Sequence, residues 1–339
     1  MEDEITYEDI KYQKFNEDLD TNGLIDIAGY KFYPSYLLYN VDNGVTYHDA
    51  YLEFKEREFD ELKELIYNQY PLPIAYYFRQ TQYGYLNNNN RLQILRSTWE
   101  AIIFVLYGIV IGEARKKSFP LRLAGIRDND LYSFSIDRKL NIIEKVLQYD
   151  KNNNIGLKCG KLFDVNEIVK IKQLNYQRNG FQHLAPLSEE QAETLFAELF
   201  PEIIEALKSI SQIQEIEIFH FINSDGNPFA LRCETFIGNS PNRTINTYQI
   251  SQDQMAFTGV ELNSANILAK IEDDIFSISP FIHFISDDGG HLTNLCYLHQ
   301  INPDNINEFK FEIARRSTYI YIPIISFTDR MNELRILAT

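Results

Sequence analysis

The sequence predicts an α+β protein, in which a central antiparallel helical bundle is flanked by a small N-terminal β-rich segment and a C-terminal β-rich domain. Two changes of pattern carry this expectation. Apolar residues recur three and four apart from residue 73 to about 211. After residue 215 they alternate, with turn residues between the runs. Charge changes at nearly the same places: residues 1–70 carry 6 basic and 17 acidic side chains, 71–215 carry 18 and 16, and 216–339 carry 8 and 15. A chain of 339 residues is expected to form two or three compact units. The boundaries fall at 1–70, 71–214 and 215–339.

Within the first segment, 23–28, 30–33 and 36–41 read as short strands, Asp42-Asn43-Gly44 as a turn, and 45–54 as a further strand. Residues 55–68 place Phe59, Leu62, Leu65 and Ile66 on one side at helical spacing, and Pro71-Leu72-Pro73 ends that helix. The central segment then reads as five helices. The first covers 74–83, and Asn87–Asn90 is taken as a loop. A long helix over 91–117 buries Leu92, Leu95, Trp99, Ile102, Ile103 and Leu106, and a third covers 136–148 before a polar loop at 151–154. The fourth spans 165–183. Ser188-Glu189-Glu190-Gln191 has the capping-box form and opens the fifth, which carries Pro201 in its interior and is expected to kink there.

Strands are expected at 216–222, 229–237, 244–250, 275–285, 291–298 and 319–325, with turns at Asp225-Gly226 and Asp287–Gly290. The apolar stretch 101–112 is shorter than the roughly 20 residues needed to cross a bilayer and reads as a buried helix, with no membrane partner. The N-terminus has neither a basic region nor an apolar run of the kind a signal peptide needs, so a cytoplasmic location is expected. Three widely spaced cysteines, Cys159, Cys233 and Cys296, make no disulfide framework and agree with a reducing compartment.

A formal charge of −16 excludes a basic protein that coats nucleic acid. Residues 71–183 are the exception, with 17 basic against 9 acidic side chains, and an anionic substrate would be drawn there. Inside that zone lies Arg178-Asn179-Gly180-Phe181-Gln182-His183, near the end of the fourth helix. Asn179 and His183, four apart, share a helix face. Two copies meeting across a two-fold axis would place two arginines, two asparagines and two histidines in one cleft. Cleaving RNA without a metal needs a base for the ribose 2′-hydroxyl, an acid for the leaving 5′-oxygen and positive charge beside the phosphorane. Histidine titrates near neutrality and serves as either acid or base, while arginine offers a permanent planar fork to phosphate oxygens. Asn179 would orient the imidazole or hold the phosphate. A simpler account is that Arg178 and His183 only complement the helix macrodipole at a C-terminus.

The hexapeptide resembles the signature of the HEPN superfamily (higher eukaryotes and prokaryotes nucleotide-binding): an Arg, commonly followed by a polar residue, then a His after four to six positions, at the end of a helix in a four- or five-helix bundle. The resemblance covers about 73–211. It implies a HEPN-like bundle and a metal-independent endoribonuclease that works as a homodimer, with Arg178, Asn179 and His183 at a composite site. RNA would be the substrate, no cofactor would be needed, and the role would be that of a toxin or phage-defence effector. Ala185 stands where some members carry a tyrosine that is modified. The other class of function is a non-catalytic dimerisation or sensing module that binds a nucleotide, RNA or a regulatory protein. A zinc site from His283, His291, Cys296 and His299 is disfavoured by spacing, because Cys296 and His299 would point to opposite faces of a strand.

Overall fold

The computed structural model describes residues 25–27, 30–32, 44–133, 135–181, 187–224, 226–239, 244–252, 262, 266–286, 293–314 and 318–339. The chain forms two compact units, 1–65 and 66–339. The first contains a hairpin of β1 (Ile25–Ile27) and β2 (Tyr30–Phe32), paired antiparallel, and the start of helix α1 (Gly44–Gln69). The stretch 45–54, expected as a strand, is therefore helical. Its aromatic and β-branched residues imitate a strand locally, but Tyr47, Tyr51 and Phe54 also repeat at helical spacing and run in phase with the apolar face of 59–66.

The second unit is a mixed helix and antiparallel-sheet fold. Its longer helices before the sheets are α2 (Leu72–Tyr83), α3 (Asn88–Lys116), α4 (Ile136–Asn153), α5 (Val165–Phe181) and α6 (Glu189–Ser209). Helices α2, α4 and α6 pack on α3, and α5 packs on α4 and α6. Helix α4 extends through residues 151–153, expected as loop, and stops at Asn154, which takes the left-handed conformation at φ 52° that ends many helices. At the start of α6 the Ser188 hydroxyl accepts from the Gln191 N–H while the Gln191 side chain accepts from the Ser188 N–H, and the helix continues past Pro201.

Two antiparallel sheets follow. One has the order β5-β4-β3-β6-β7, from β3 (Glu217–Asn223), β4 (Ala230–Thr235), β5 (Thr244–Gln249), β6 (Ile267–Ile271) and β7 (Asp274–Ser277). The other has the order β11-β10-β9-β8, from β8 (Ile282–Ser286), β9 (Thr293–Ile301), β10 (Glu308–Ile313) and β11 (Thr318–Pro323). The single strand expected over 275–285 is two strands in different sheets, broken at Pro280, which has no N–H to give a ladder. A final helix, α7 (Thr328–Ala338), was not expected from the sequence, and neither were β6 and β10.

Helix α3 touches both the helices and the sheets. Every residue from Ala101 to Arg115 is buried. Gly108 and Gly112, one turn apart, lie against the chain around β7 and β8: a Cβ on Gly112 would stand 2.8 Å from the Ser277 carbonyl oxygen. Phe104 stacks on Tyr297 of β9 at 4.9 Å, and Tyr107 meets Phe281 edge-on at 5.1 Å. By length and composition α3 is apolar enough to cross a membrane, but most of that apolar window is buried in protein. At its C-terminal end the fully buried Glu113 carboxylate accepts from the Lys158 and Cys159 N–H groups at 2.6 and 2.9 Å, and Arg115 pairs with Glu333 of α7 at 2.6 Å. Cys159, Cys233 and Cys296 are all buried thiols without disulfides.

Candidate functional site

Arg178 and Asn179 lie in the last turn of α5, and their side chains are outside the described residues, as is the whole of His183. The surroundings of that helix end are described, and they show how it is held. Three residues before Arg178, Asn175 is fully buried and joins three helices: its amide oxygen accepts from Trp99 Nε1 of α3 at 3.4 Å, and its amide nitrogen donates to Asp137 of α4. Lys172, one turn earlier, pairs with Glu144 of α4 at 2.8 Å. Because α5 begins beyond the Glu113 end of α3 and passes Trp99 at Asn175, it runs antiparallel to α3. Its last turn therefore lies at the end of the molecule where α3 starts.

The residues Asn87–Asn90, read from sequence as a loop, build that corner. Asn87 is the N-cap of α3, its side chain accepting from the Asn90 N–H at 2.8 Å. Asn88 N–H donates to Glu189 Oε2 at 2.8 Å, and the Asn89 amide donates to Glu189 Oε1 at 2.7 Å and to the Leu187 carbonyl at 3.2 Å. The start of α3 thus grips the start of α6, directly after the connection that leaves α5. Hydrogen bonds from Asn89 and then Asn88 hold the Glu189 carboxyl below its ordinary pKa. Arg91 is committed to structure: its Nε donates to the Thr81 carbonyl at 2.8 Å, and its guanidinium lies 3.9 Å from the Phe196 ring centroid and 4.6 Å from that of Tyr85. The sequence signal for this corner was present, since an Asn before an apolar periodic run is an N-cap signature.

A second group of ionisable residues gave no signal in the sequence, because it is assembled from three strands and two helices. On one face of the second sheet Tyr297, Glu312 and Tyr319 are cross-strand neighbours, and Lys310 pairs with Tyr321 in the next row. The β9–β10 register shifts between Lys310 and Phe311, where β9 advances from Leu298 to Gln300 and leaves His299 as the extra, bulged residue. His299 meets the Tyr319 ring at 5.3 Å, and Lys310 Nζ lies 3.8 Å from the centre of that ring. Burial and then the neighbouring Glu100 push the Glu312 carboxyl up to about 7. Beneath them Lys139 of α4 is buried, with its ammonium over Phe104 and Tyr107 at 5.2 and 5.0 Å and donating to the Ser133 carbonyl. Loss of hydration lowers its pKa to about 7.

His283 and Cys296 are direct cross-strand partners, and the His283 ring packs edge-on against Phe327 at 5.0 Å. Burial lowers its pKa to about 4, as for a neutral core imidazole. His291 lies outside the described residues, and among those described no three His, Cys, Asp or Glu side chains form a metal-binding group.

The chain matches no family model, no curated protein and no solved structure.

Proposed function

We propose that this chain is a metal-independent endoribonuclease of the toxin or phage-defence kind, acting in the cytoplasm. In this reading its helices form a HEPN-like bundle and two copies share a composite active site. One observation supports the reading: Arg178 and Asn179, the first two residues of the Arg-Asn-x3-His sequence, lie in the last turn of a 17-residue helix, and a capped helix of 21 residues starts eight residues after that helix ends. The hydrogen bonds of Asn88 and Asn89 to Glu189 support it, because they hold the start of α6 against the start of α3.

The chemistry follows from the residue types. One His183 imidazole takes the proton of the 2′-hydroxyl as that oxygen attacks the adjacent phosphorus, and the other, as imidazolium, gives a proton to the departing 5′-oxygen. The products are a 2′,3′-cyclic phosphate and a 5′-hydroxyl. Arg178 stabilises the charge on the non-bridging oxygens, most strongly in the phosphorane, and Asn179 orients the imidazole or the phosphate. None of these steps requires a cofactor. His183→Ala and Arg178→Ala should each lower the cleavage rate of purified protein in EDTA by about a hundredfold or more without changing its melting temperature. An unchanged rate in either variant removes the mechanism.

A second reading, a non-catalytic dimerisation or sensing module for a protein partner, is favoured by the acidic start of α6. Glu189, Glu190 and Glu193 follow the motif closely and oppose phosphate. RNA neither bound nor cut by the folded protein would select this reading.

A further inference from the structure

We propose that the β10–β11 face of the second sheet is a binding track for single-stranded RNA, with Tyr319 and Tyr321 as stacking platforms and Lys310 and Arg96 as phosphate contacts. The inference rests on the ribonuclease reading for its ligand, and on four observations for its place.

First, Tyr319 and Tyr321 stand on the same face of the edge strand β11 and are 45% and 51% exposed, although aromatic side chains normally account for much of a protein's buried area. Aromatic rings two residues apart on an open strand offer successive π-faces to successive bases, whatever the base. Second, the cations are in place. Lys310 Nζ is held 3.8 Å from the centre of the Tyr319 ring, and the half-exposed Arg96 projects from α3 with its Nε 2.9 Å from Glu100. Third, charge in the tail is uneven. Residues 216–307 carry 3 basic and 11 acidic side chains, whereas 308–339 carry 5 and 4. The last 32 residues are therefore the part of the tail that does not repel a polyanion. Arg96 pairs with Glu100 through Nε alone, and Glu312, the acid opposite Tyr319, is held partly protonated at neutral pH.

Fourth, the track lies beside α3, the helix whose first residues build the corner described above. Arg96 lies seven residues, or about 10 Å at 1.5 Å per residue, along α3 from Asn89 at the corner described above. The bulge at His299 sits next to Tyr319, and such irregularities are enriched beside active sites. A strand of RNA stacked on Tyr321 and Tyr319 would pass Arg96 on its way to the end of α5.

The test is fluorescence anisotropy with a labelled oligouridine about ten nucleotides long, using the full chain in the His183→Ala background so that the probe survives. The track predicts that Tyr319→Ala with Tyr321→Ala weakens binding by about tenfold or more, that the two Tyr→Phe changes leave it within about twofold, and that Lys310→Ala flattens its salt dependence. Double-alanine protein with an unchanged melting curve that binds as the parent does would overturn the proposal. So would a parent that does not bind the probe, or one that binds duplex RNA equally well. Loss of a dimer in the double-alanine variant with binding intact would assign the face to a second copy of the chain instead. Binding through this face with no scission by the unmutated protein sinks only the nuclease reading. Scission with binding indifferent to both tyrosines sinks only the track.

Discussion

Along helix α3, the half after Glu100 is buried residue by residue and has two glycines against the sheets, whereas the half before it keeps Gln93 and Arg96 exposed and begins in a polar clamp on α6. The first arrangement relies on close apposition, which removes apolar surface from water and tolerates charge only when every polar atom is satisfied, as at Glu113. The second relies on exposed hydrogen bonds, each contributing little to stability but fixing the start of α6 on the start of α3. One helix therefore spans a rigid core and a polar corner where chemistry is proposed, and the two ends should respond differently to substitution.

The largest effect is expected at Gly112. Its Cβ would meet the Ser277 backbone oxygen, so Gly112→Val should cost about 3 kcal/mol or more. Gly108→Ala presses on the buried Ile282 side chain at 3.2 Å rather than on backbone, and its gain in helix propensity, about 1 kcal/mol, offsets part of that cost, so its loss should be well below that of Gly112→Val. Urea denaturation of the pair measures the contrast, and equal losses would contradict close packing at Gly112. Next in size is Glu113→Ala, which strips the acceptor from two N–H groups and should destabilise by about 2–4 kcal/mol.

A smaller effect appears as a pH dependence. Glu312 has a folded pKa of about 7 against an ordinary value of 4.5, so the native state binds more protons across that window and stability falls as pH rises from 4.5 to 7. Lys139 is depressed from 10.5 to about 7, so the unfolded state binds more protons there, and stability rises from pH 7 to 10.5. Melting temperature against pH should show a minimum near 7. Glu312→Gln should remove the acidic limb alone, and persistence of that limb would reassign it. The smallest stability change belongs to Asn89→Ala, about 1 kcal/mol or less because its bonds are exposed. RNA cleavage should nonetheless fall severalfold if the clamp positions the motif, and an unchanged rate would separate the corner from the chemistry.

Much of the second unit was legible because its signals are local. The Ser188 box, the apolar face of α3 and the stop before Pro71 are read within a few residues. What escaped depends on context. Residues 45–54 carry residues suited to either structure, β6 is a short run of five beside a turn, and Pro280 divides what looked like one strand. The deeper misses are non-local. Gly112 reads as a weak helix residue until β7 is set against it, and Lys139 reads as a surface charge until Phe104 and Tyr107 close over it. Of the candidate site, the motif was read wholly from sequence, while the Asn88 and Asn89 clamp emerged only in three dimensions.

The most direct measurement is end-group analysis of RNA incubated in EDTA with the intact chain and with His183→Ala. The account predicts fragments ending in 2′,3′-cyclic phosphate and beginning with 5′-hydroxyl from the former, and uncut RNA from the latter. Fragments with 3′-hydroxyl ends, or equal cutting by both proteins, would contradict it.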